Sequence, residues 1–147
     1  MKVIFLDIDG VMVTGSYQRP STHYNGYQFN PSCVENLKQI MKQTGASIVV
    51  SSTWRKAGFR FLKQMFTANG IDKGLVGQTP VLVNRDRGDE IQQYIEEAQL
   101  DPSFTVEQFV ILDDHNDMGK LLPYLVQTDG HTGLDQEATK RAIKMLS

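Results

Sequence analysis

Residues 2–10 read KVIFLDIDG, an apolar run that ends in two aspartates and a glycine. Four consecutive apolar residues, Val3 to Leu6, are typical of a strand that is buried on both faces of a sheet. Because alternate residues of an extended chain point the same way, Asp7 and Asp9 can face one site, and Gly10 permits a sharp turn after them. The segment therefore predicts a buried strand at Lys2–Asp7 with acidic side chains at its carboxyl end.

The rest of the chain alternates strand-like and helix-like patterns. Short apolar runs predict further strands at Ser47–Ser51 and Phe109–Asp113, and weaker ones at Leu75–Gly77 and Leu125–Thr128. Apolar stripes at helical spacing predict four helices. The first begins at Asn30-Pro31 and ends before Gly45, the second begins near Phe59 and is closed by Asn69-Gly70, the third covers about Gly88 to Ala98, and the last covers Asp135 to Leu146 with Asp135 as its cap. This alternation predicts an α/β fold, a Rossmann-like three-layer sandwich with a mainly parallel central sheet.

Length and composition exclude several classes of protein. The 147 residues have room for one hydrophobic core, so we expect a single domain over residues 1–147. The 15 basic and 17 acidic side chains leave a net charge of −2, which argues against a general nucleic-acid coating protein. The single cysteine, Cys33, cannot form an internal disulfide, and the N-terminal apolar run is too short for a signal peptide or a membrane span. We therefore expect a cytoplasmic protein without membrane contact.

Acidic residues end two of the predicted strands. In an open α/β sheet a ligand binds beyond the carboxyl ends of the strands, so Asp113 and Asp114 are expected to join Asp7 and Asp9 if their strands are neighbours. Four carboxylates in a small volume need a cation to offset their repulsion, and an all-oxygen donor set suits Mg²⁺. Asp117, shortly after Asp114, is a further candidate ligand.

Four segments resemble, in order, the four motifs of the haloacid dehalogenase (HAD) phosphatase superfamily. They are FLDIDG at 5–10, SIVVSS at 47–52, NRDRGDEI at 84–91 and VILDDHNDM at 110–118. With LVQTD at 125–129 and TGL at 132–134, the chain is most similar to the cap-poor HAD domains associated with RNA-repair proteins. The third motif departs from many relatives, because it offers arginine where they have lysine.

The resemblance implies phosphoryl transfer through an aspartyl-phosphate. Asp7 would be the nucleophile and a Mg²⁺ ligand. Asp9 would protonate the leaving oxygen and later activate water, with its main-chain carbonyl on the metal, and Asp113 and Asp114 would complete the metal shell. The chemistry agrees, because a carboxylate is a weak nucleophile that needs alignment, and fixed donors must meet the developing charge.

The resemblance also implies donors to the phosphoryl group. Ser51, which comes first after the apolar run, would donate to a phosphoryl oxygen, and Ser52 is the alternative. Arg87 would supply positive charge at the start of a helix, where free N–H groups also favour anions. Arg85 competes with Arg87 for this role.

The sequence says less about the substrate. Residues 11–29 show no periodicity, and an aperiodic segment of this length predicts a functional loop, which we interpret as a flap. It mixes aromatic and cationic side chains, as surfaces that stack nucleic-acid ends do, although a flap that only shields the site has the same composition. The candidate substrate contacts on this segment and near the strand ends are Arg19, Tyr24, Tyr27, Ser52, Arg55 and Arg85.

Three functions are compatible with these residues. A chain of this length leaves no space for a large cap domain, which favours a large substrate, and the resemblance implies the 3′-phosphate end of a nucleic acid. The second hypothesis is a phosphatase of small nucleotides or phosphorylated metabolites. The third is a non-catalytic phosphoacceptor or metal-binding module, such as a receiver domain. The order of elements argues against a receiver, whose acidic pair comes on the first strand, whereas Asp113 and Asp114 end a late one.

Overall fold

The central sheet has five strands, all parallel. A computed structural model describes residues 1–147, and its strands are β1 (Lys2–Leu6), β2 (Ser47–Val50), β3 (Leu75–Gln78), β4 (Gln108–Asp113) and β5 (Leu125–Gln127). The strand order is β3-β2-β1-β4-β5, so β1 lies at the centre with β2 and β4 as its neighbours. The α/β fold with a parallel sheet is confirmed, and each strand begins within one residue of the position predicted.

Four α-helices alternate with the strands: α1 (Pro31–Thr44), α2 (Phe59–Ala68), α3 (Arg87–Ala98) and α4 (Gln136–Met145). Local signals explain their ends. The Asn30 side chain accepts from the Ser32 amide at the start of α1, and Gly45 ends that helix with φ of 75°. Two short 3₁₀ helices, Thr53–Ala57 and Gly119–Tyr124, lie outside the predicted elements, because segments this short have no periodic apolar pattern of their own.

The hydrophobic core lies on both faces of the sheet, as continuous apolar strands require. Ile4 and Leu6 pack on one face with apolar residues of α1, α2 and α4. Val3 and Phe5 pack on the opposite face with residues of α3 and of the segment Gly119–Tyr124. Helices on both faces of one sheet make the predicted three-layer sandwich.

The strand order brings the functional ends of the strands together. Backbone pairing continues just beyond them, because the Ser51 amide donates to the Leu6 carbonyl at 2.8 Å and the Asp7 amide donates to the Leu112 carbonyl at 3.0 Å. Asp7, Ser51 and Asp113 therefore emerge at one edge of the sheet.

The connection between β1 and α1, residues 11–29, contains no α-helix and only isolated bridges, and we refer to it as the β1–α1 loop. Its backbone pairs with itself, since the Gln28 amide donates to the Arg19 carbonyl at 2.8 Å. Phe29, at its end, packs edge-on against Phe66 of α2. No cap domain is inserted in the chain, and none of its helices has the length and apolar character needed to cross a membrane.

Candidate active site

An acidic pocket lies at the carboxyl edge of the sheet. Asp7, Asp113 and Asp114 each offer a carboxylate oxygen within 4.8 Å of the others. The pocket has a volume of about 260 Å³, and its lining residues are all polar or charged: Asp7, Asp9, Thr53, Arg87, Asp113, Asp114, His115 and Asp117. The predicted neighbourhood of the β1 and β4 aspartates is therefore observed, and Asp117 lies in the same pocket.

Backbone amides orient the buried carboxylates. The Ile8 amide donates to Asp7 Oδ1 at 2.9 Å, and the His115 amide donates to Asp113 Oδ1 at 2.9 Å. Gly10, with φ of 85°, lies so close to Asp114 that a Cβ at this position would overlap the Asp114 carboxylate. The glycine that the sequence assigned to a turn thus also makes room for Asp114.

Burial raises the pKa of two carboxyl groups in the acidic pocket, Asp7 and Asp113. Burial, and then the neighbouring Asp113 carboxylate, raise the pKa of Asp7 to about 8, while Arg87 opposes this. Burial likewise raises the pKa of Asp113, against the effect of the His115 amide and of Arg87. Without a cation the pair retains a proton at neutral pH, because two desolvated negative charges this close are unfavourable.

The donor set fits a hard divalent cation. All three clustered ligands are carboxylate oxygens, and Asp114 Oδ1 is buried without any hydrogen-bond partner. A buried oxygen of this kind is costly unless something binds it, and oxygen donors of this number and charge suit Mg²⁺. The exposed Asp9 side chain is not part of the cluster, and its main-chain carbonyl as a ligand stays a prediction.

Arg87 is the cation of this pocket. Its guanidinium Nη1 lies 3.4 Å from Asp113 Oδ2 and 3.7 Å from Asp7 Oδ1, and also donates to the Ser51 carbonyl. Arg85 is exposed and lines a separate surface pocket with residues of α3 and Lys120. Arg87 is the first residue of α3, and Arg85 lies two positions before it. Their side chains line different pockets of the structure. Of the two candidates for the third motif, the geometry favours Arg87.

The two serines after β2 have different surroundings. Ser51 Oγ is buried and has no hydrogen-bond partner, so this hydroxyl is free to donate to a ligand. Ser52 Oγ accepts from the Trp54 amide at 3.2 Å and thereby caps the 3₁₀ helix that follows. Thr53 lines the pocket and was not among the predicted site residues. Its position directly after the two strand-end serines is the signal that could have identified it.

Arg55 has a structural role in place of the substrate contact expected from the sequence. The residue is only 4% exposed. Its guanidinium Nη2 pairs with Glu90 Oε1 at 3.0 Å, and Nη1 donates to Thr79 Oγ1 at 2.6 Å and to the Pro80 carbonyl at 2.9 Å. Burial lowers the pKa of Arg55, and the Glu90 carboxylate partly offsets this. A charge that is buried and paired in this way is not available to a substrate.

The predicted contacts on the β1–α1 loop do not line the acidic pocket. The half-buried Tyr24 donates its hydroxyl to the Tyr27 carbonyl at 2.5 Å, so its polar group is used within the chain. The Arg19 guanidinium lies over the Tyr17 ring, 5.3 Å from the ring centroid. Tyr27 is 45% exposed, which leaves its ring available to a ligand at the surface.

Trp54 joins the pocket to the aromatic residues beside it. Its indole Nε1 donates to Asp9 Oδ2 at 3.1 Å, and its ring stacks on Phe61 of α2. Trp54 therefore packs against α2 on one side and is hydrogen-bonded to Asp9 on the other.

A parallel α/β sheet with clustered aspartates beyond β1 and β4 and an arginine from the start of α3 is the arrangement of a domain of the HAD superfamily. Residues 3–139 match the family described as the HAD domain in Swiss Army Knife RNA repair proteins, and the chain belongs to this family. The resemblance inferred from the four motifs is confirmed. No curated protein matches the chain in sequence.

Proposed function

We propose that this domain is a Mg²⁺-dependent phosphomonoesterase that works through an aspartyl-phosphate on Asp7. The observation that carries the proposal is the meeting of Asp7, Asp113 and Asp114 in one pocket with Arg87, in a chain of a HAD family. Membership of that family indicates a phosphatase or related hydrolase. The pocket supports the same chemistry through its own residues.

The cation, held by Asp7, Asp113 and Asp114, would neutralise the carboxylates and polarise the phosphoryl group. In the first half-reaction an Asp7 carboxylate oxygen forms a bond to phosphorus while the bond from phosphorus to the leaving oxygen breaks. Asp9 gives its proton to that leaving oxygen, so an alcohol departs. In the second half-reaction water attacks phosphorus, Asp9 takes a proton from it, and the Asp7 carboxylate and inorganic phosphate are released.

Two fixed donors are suited to the charge that develops on the phosphoryl oxygens. Arg87 is held among carboxylates and the Ser51 carbonyl, so it needs little reorganisation to meet an anion. The Ser51 hydroxyl is buried and has no hydrogen-bond partner within the protein. A phosphoryl oxygen that accepts from it would satisfy this group.

The substrate we propose is the 3′-phosphate end of a nucleic acid. The family description refers to RNA-repair proteins, and no cap domain covers the pocket. A surface cavity of about 680 Å³ supports the proposal of a polyanionic substrate, because all its lining residues are basic or neutral. It lies between the β1–α1 loop and α2 and is lined by His23, Arg60, Lys63, Gln64, Thr67 and Ala68. We refer to it as the basic groove.

The aromatic residues connect the basic groove with the acidic pocket. Phe61, next to Arg60 on α2, stacks on Trp54, with ring centroids 6.0 Å apart, and Trp54 bonds to Asp9 of the pocket. Tyr24, next to His23 on the loop, packs edge-on against Phe61. A strand whose phosphorylated end occupies the pocket can therefore cross aromatic surface before its backbone reaches the basic groove.

The test compares kcat/KM for a 3′-phosphorylated oligonucleotide, a nucleoside 3′-monophosphate and p-nitrophenyl phosphate. The double variant Arg60→Gln/Lys63→Gln is expected to lose about 10-fold or more on the oligonucleotide at low salt and little on the small esters. The matched control, Lys42→Gln/Arg141→Gln, removes the same charge from exposed positions on α1 and α4.

Two outcomes would favour the other hypotheses. Equal activity on all three substrates, unaffected by the basic groove, would leave a general phosphatase of small nucleotides or metabolites. Acceptance of one phosphoryl group from p-nitrophenyl phosphate without turnover would leave a phosphoacceptor module.

A further inference from the structure

Asp9 depends on one side chain for its orientation. Its carboxylate is exposed, and apart from the bond from Trp54 Nε1 to Oδ2, at 3.1 Å, no hydrogen bond or ion pair reaches it. The contrast with Asp7 and Asp113 is clear, since backbone amides hold both of those carboxylates. An unheld aspartate samples several rotamers, so the indole is the group that selects one of them.

The indole is itself held from two sides. Its ring stacks on Phe61 of α2 with the ring planes 11° apart. Gly26 of the β1–α1 loop lies against it, since a Cβ on this glycine would come within 3.2 Å of the indole Cη2 atom. The loop is tied to α2 nearby, because Asn69 donates to the Tyr24 hydroxyl at 2.9 Å and accepts from the Phe29 amide at 2.9 Å.

We infer that Trp54 is a positioning residue for the acid–base group Asp9, and that the packed β1–α1 loop keeps it in place. This inference rests on the proposed function. An indole N–H is a donor only, so the bond orients the Asp9 side chain through Oδ2 and leaves Oδ1 for the proton of the acid–base step. That proton then passes from Oδ1 to the leaving oxygen as the phosphorus–oxygen bond breaks, and the carboxylate left on Asp9 keeps its bond from the indole.

The Trp54→Phe variant tests this role, because phenylalanine retains an aromatic ring for Phe61 and removes the N–H donor. For the poor leaving group of a 3′-phosphorylated oligonucleotide we expect kcat to fall about 10- to 100-fold with KM little changed. For p-nitrophenyl phosphate, whose leaving group needs little protonation, the loss is expected to stay below about 3-fold. Tyr94→Phe, which removes one hydroxyl from a ring on the other face of the sheet, is the matched control and should leave both rates unchanged.

A second readout needs no turnover. Trp54 is the only tryptophan in the chain, so tryptophan emission reports on the surroundings of this one residue. In the metal-free protein, Asp9→Ala and Gly26→Ala are each expected to shift the emission of Trp54, the first by removing the acceptor and the second by displacing the ring. Tyr94→Phe should leave the emission unchanged.

The outcomes separate this inference from the proposed function. An unchanged emission in Asp9→Ala overturns the inference, whatever the activity of the protein. Equal losses on both esters in Trp54→Phe, or in Trp54→Leu if the first variant does not fold, also overturn it, because packing alone would then explain the loss. Failure of the proposed function has a different signature, since the unmodified domain would then release phosphate from neither ester.

Discussion

Replacing Arg55 with methionine should destabilise the fold without a selective effect on long substrates. The change leaves the Glu90 carboxylate buried and without its closest cation. Loss of one partner of a buried ion pair typically costs about 3–5 kcal/mol. Glu90 keeps two weaker partners, the Leu82 amide at 2.9 Å and Arg87 Nε at 3.5 Å, so we expect about 3 kcal/mol, or roughly 10 °C in Tm for a domain of this size.

Urea denaturation followed by far-ultraviolet circular dichroism measures this effect, and an unchanged m-value would show that both proteins unfold in the same way. The double variant Arg55→Met/Glu90→Gln should recover part of the loss, because the amide removes the unpaired charge and still accepts from Leu82. The stability of Arg55→Lys should lie between that of the unmodified domain and that of Arg55→Met, since one ammonium group cannot replace the several hydrogen bonds of the guanidinium.

The opposite result would restore the expectation drawn from the sequence. If Arg55→Met were as stable as the unmodified domain and lost activity on a 3′-phosphorylated oligonucleotide alone, Arg55 would be a substrate contact. The reasoning from its buried ion pair would then be refuted.

Three further predictions concern the acidic pocket. Asp7→Asn is expected to abolish turnover of any phosphomonoester while the thermal transition persists, because the amide cannot form the acyl phosphate; wild-type rates in the folded variant would contradict the mechanism. EDTA should inactivate the domain and Mg²⁺ restore it, and Asp114→Ala should raise the Mg²⁺ concentration for half-maximal rate; full activity in chelator would exclude this metal site. The pKa of Asp7 is 3.8 unfolded and about 8 in the metal-free fold, so between these values the folded state binds more protons. Unfolding measured in EDTA should therefore show metal-free stability falling, relative to Asp7→Asn, as pH rises from about 4 to about 8; equal pH profiles would contradict the raised pKa.

Local signals made the fold and the acidic edge predictable. Short apolar runs end where β1 and β4 end, and an asparagine before a proline marks the start of α1. These strand and helix boundaries can therefore be predicted from residues that are adjacent in the sequence. The strand-end rule then places Asp7 and Asp113 at the same edge of the sheet, and the strand order of the structure makes them neighbours.

Long-range partners decided the rest of the site. In the sequence Arg55 looks like an exposed cation. It is buried because Glu90 and Thr79, which are distant in sequence, pack against it in the fold. The choice between Arg85 and Arg87 depends on which of the two side chains points into the acidic pocket at the start of α3, and no local pattern specifies this direction. The Trp54–Asp9 bond joins residues 45 positions apart, so periodicity could not reveal it.

The most direct test of the central claim is mass spectrometry of the Asp9→Asn protein, acid-quenched after mixing with p-nitrophenyl phosphate and Mg²⁺. With its general base removed, this variant should form the covalent intermediate from an activated ester and hydrolyse it slowly. The account predicts one phosphoryl group on the peptide that contains Asp7, and none in the Asp7→Asn/Asp9→Asn protein. Release of nitrophenol with no phosphoryl group on Asp7, or with the group on another residue, would contradict it.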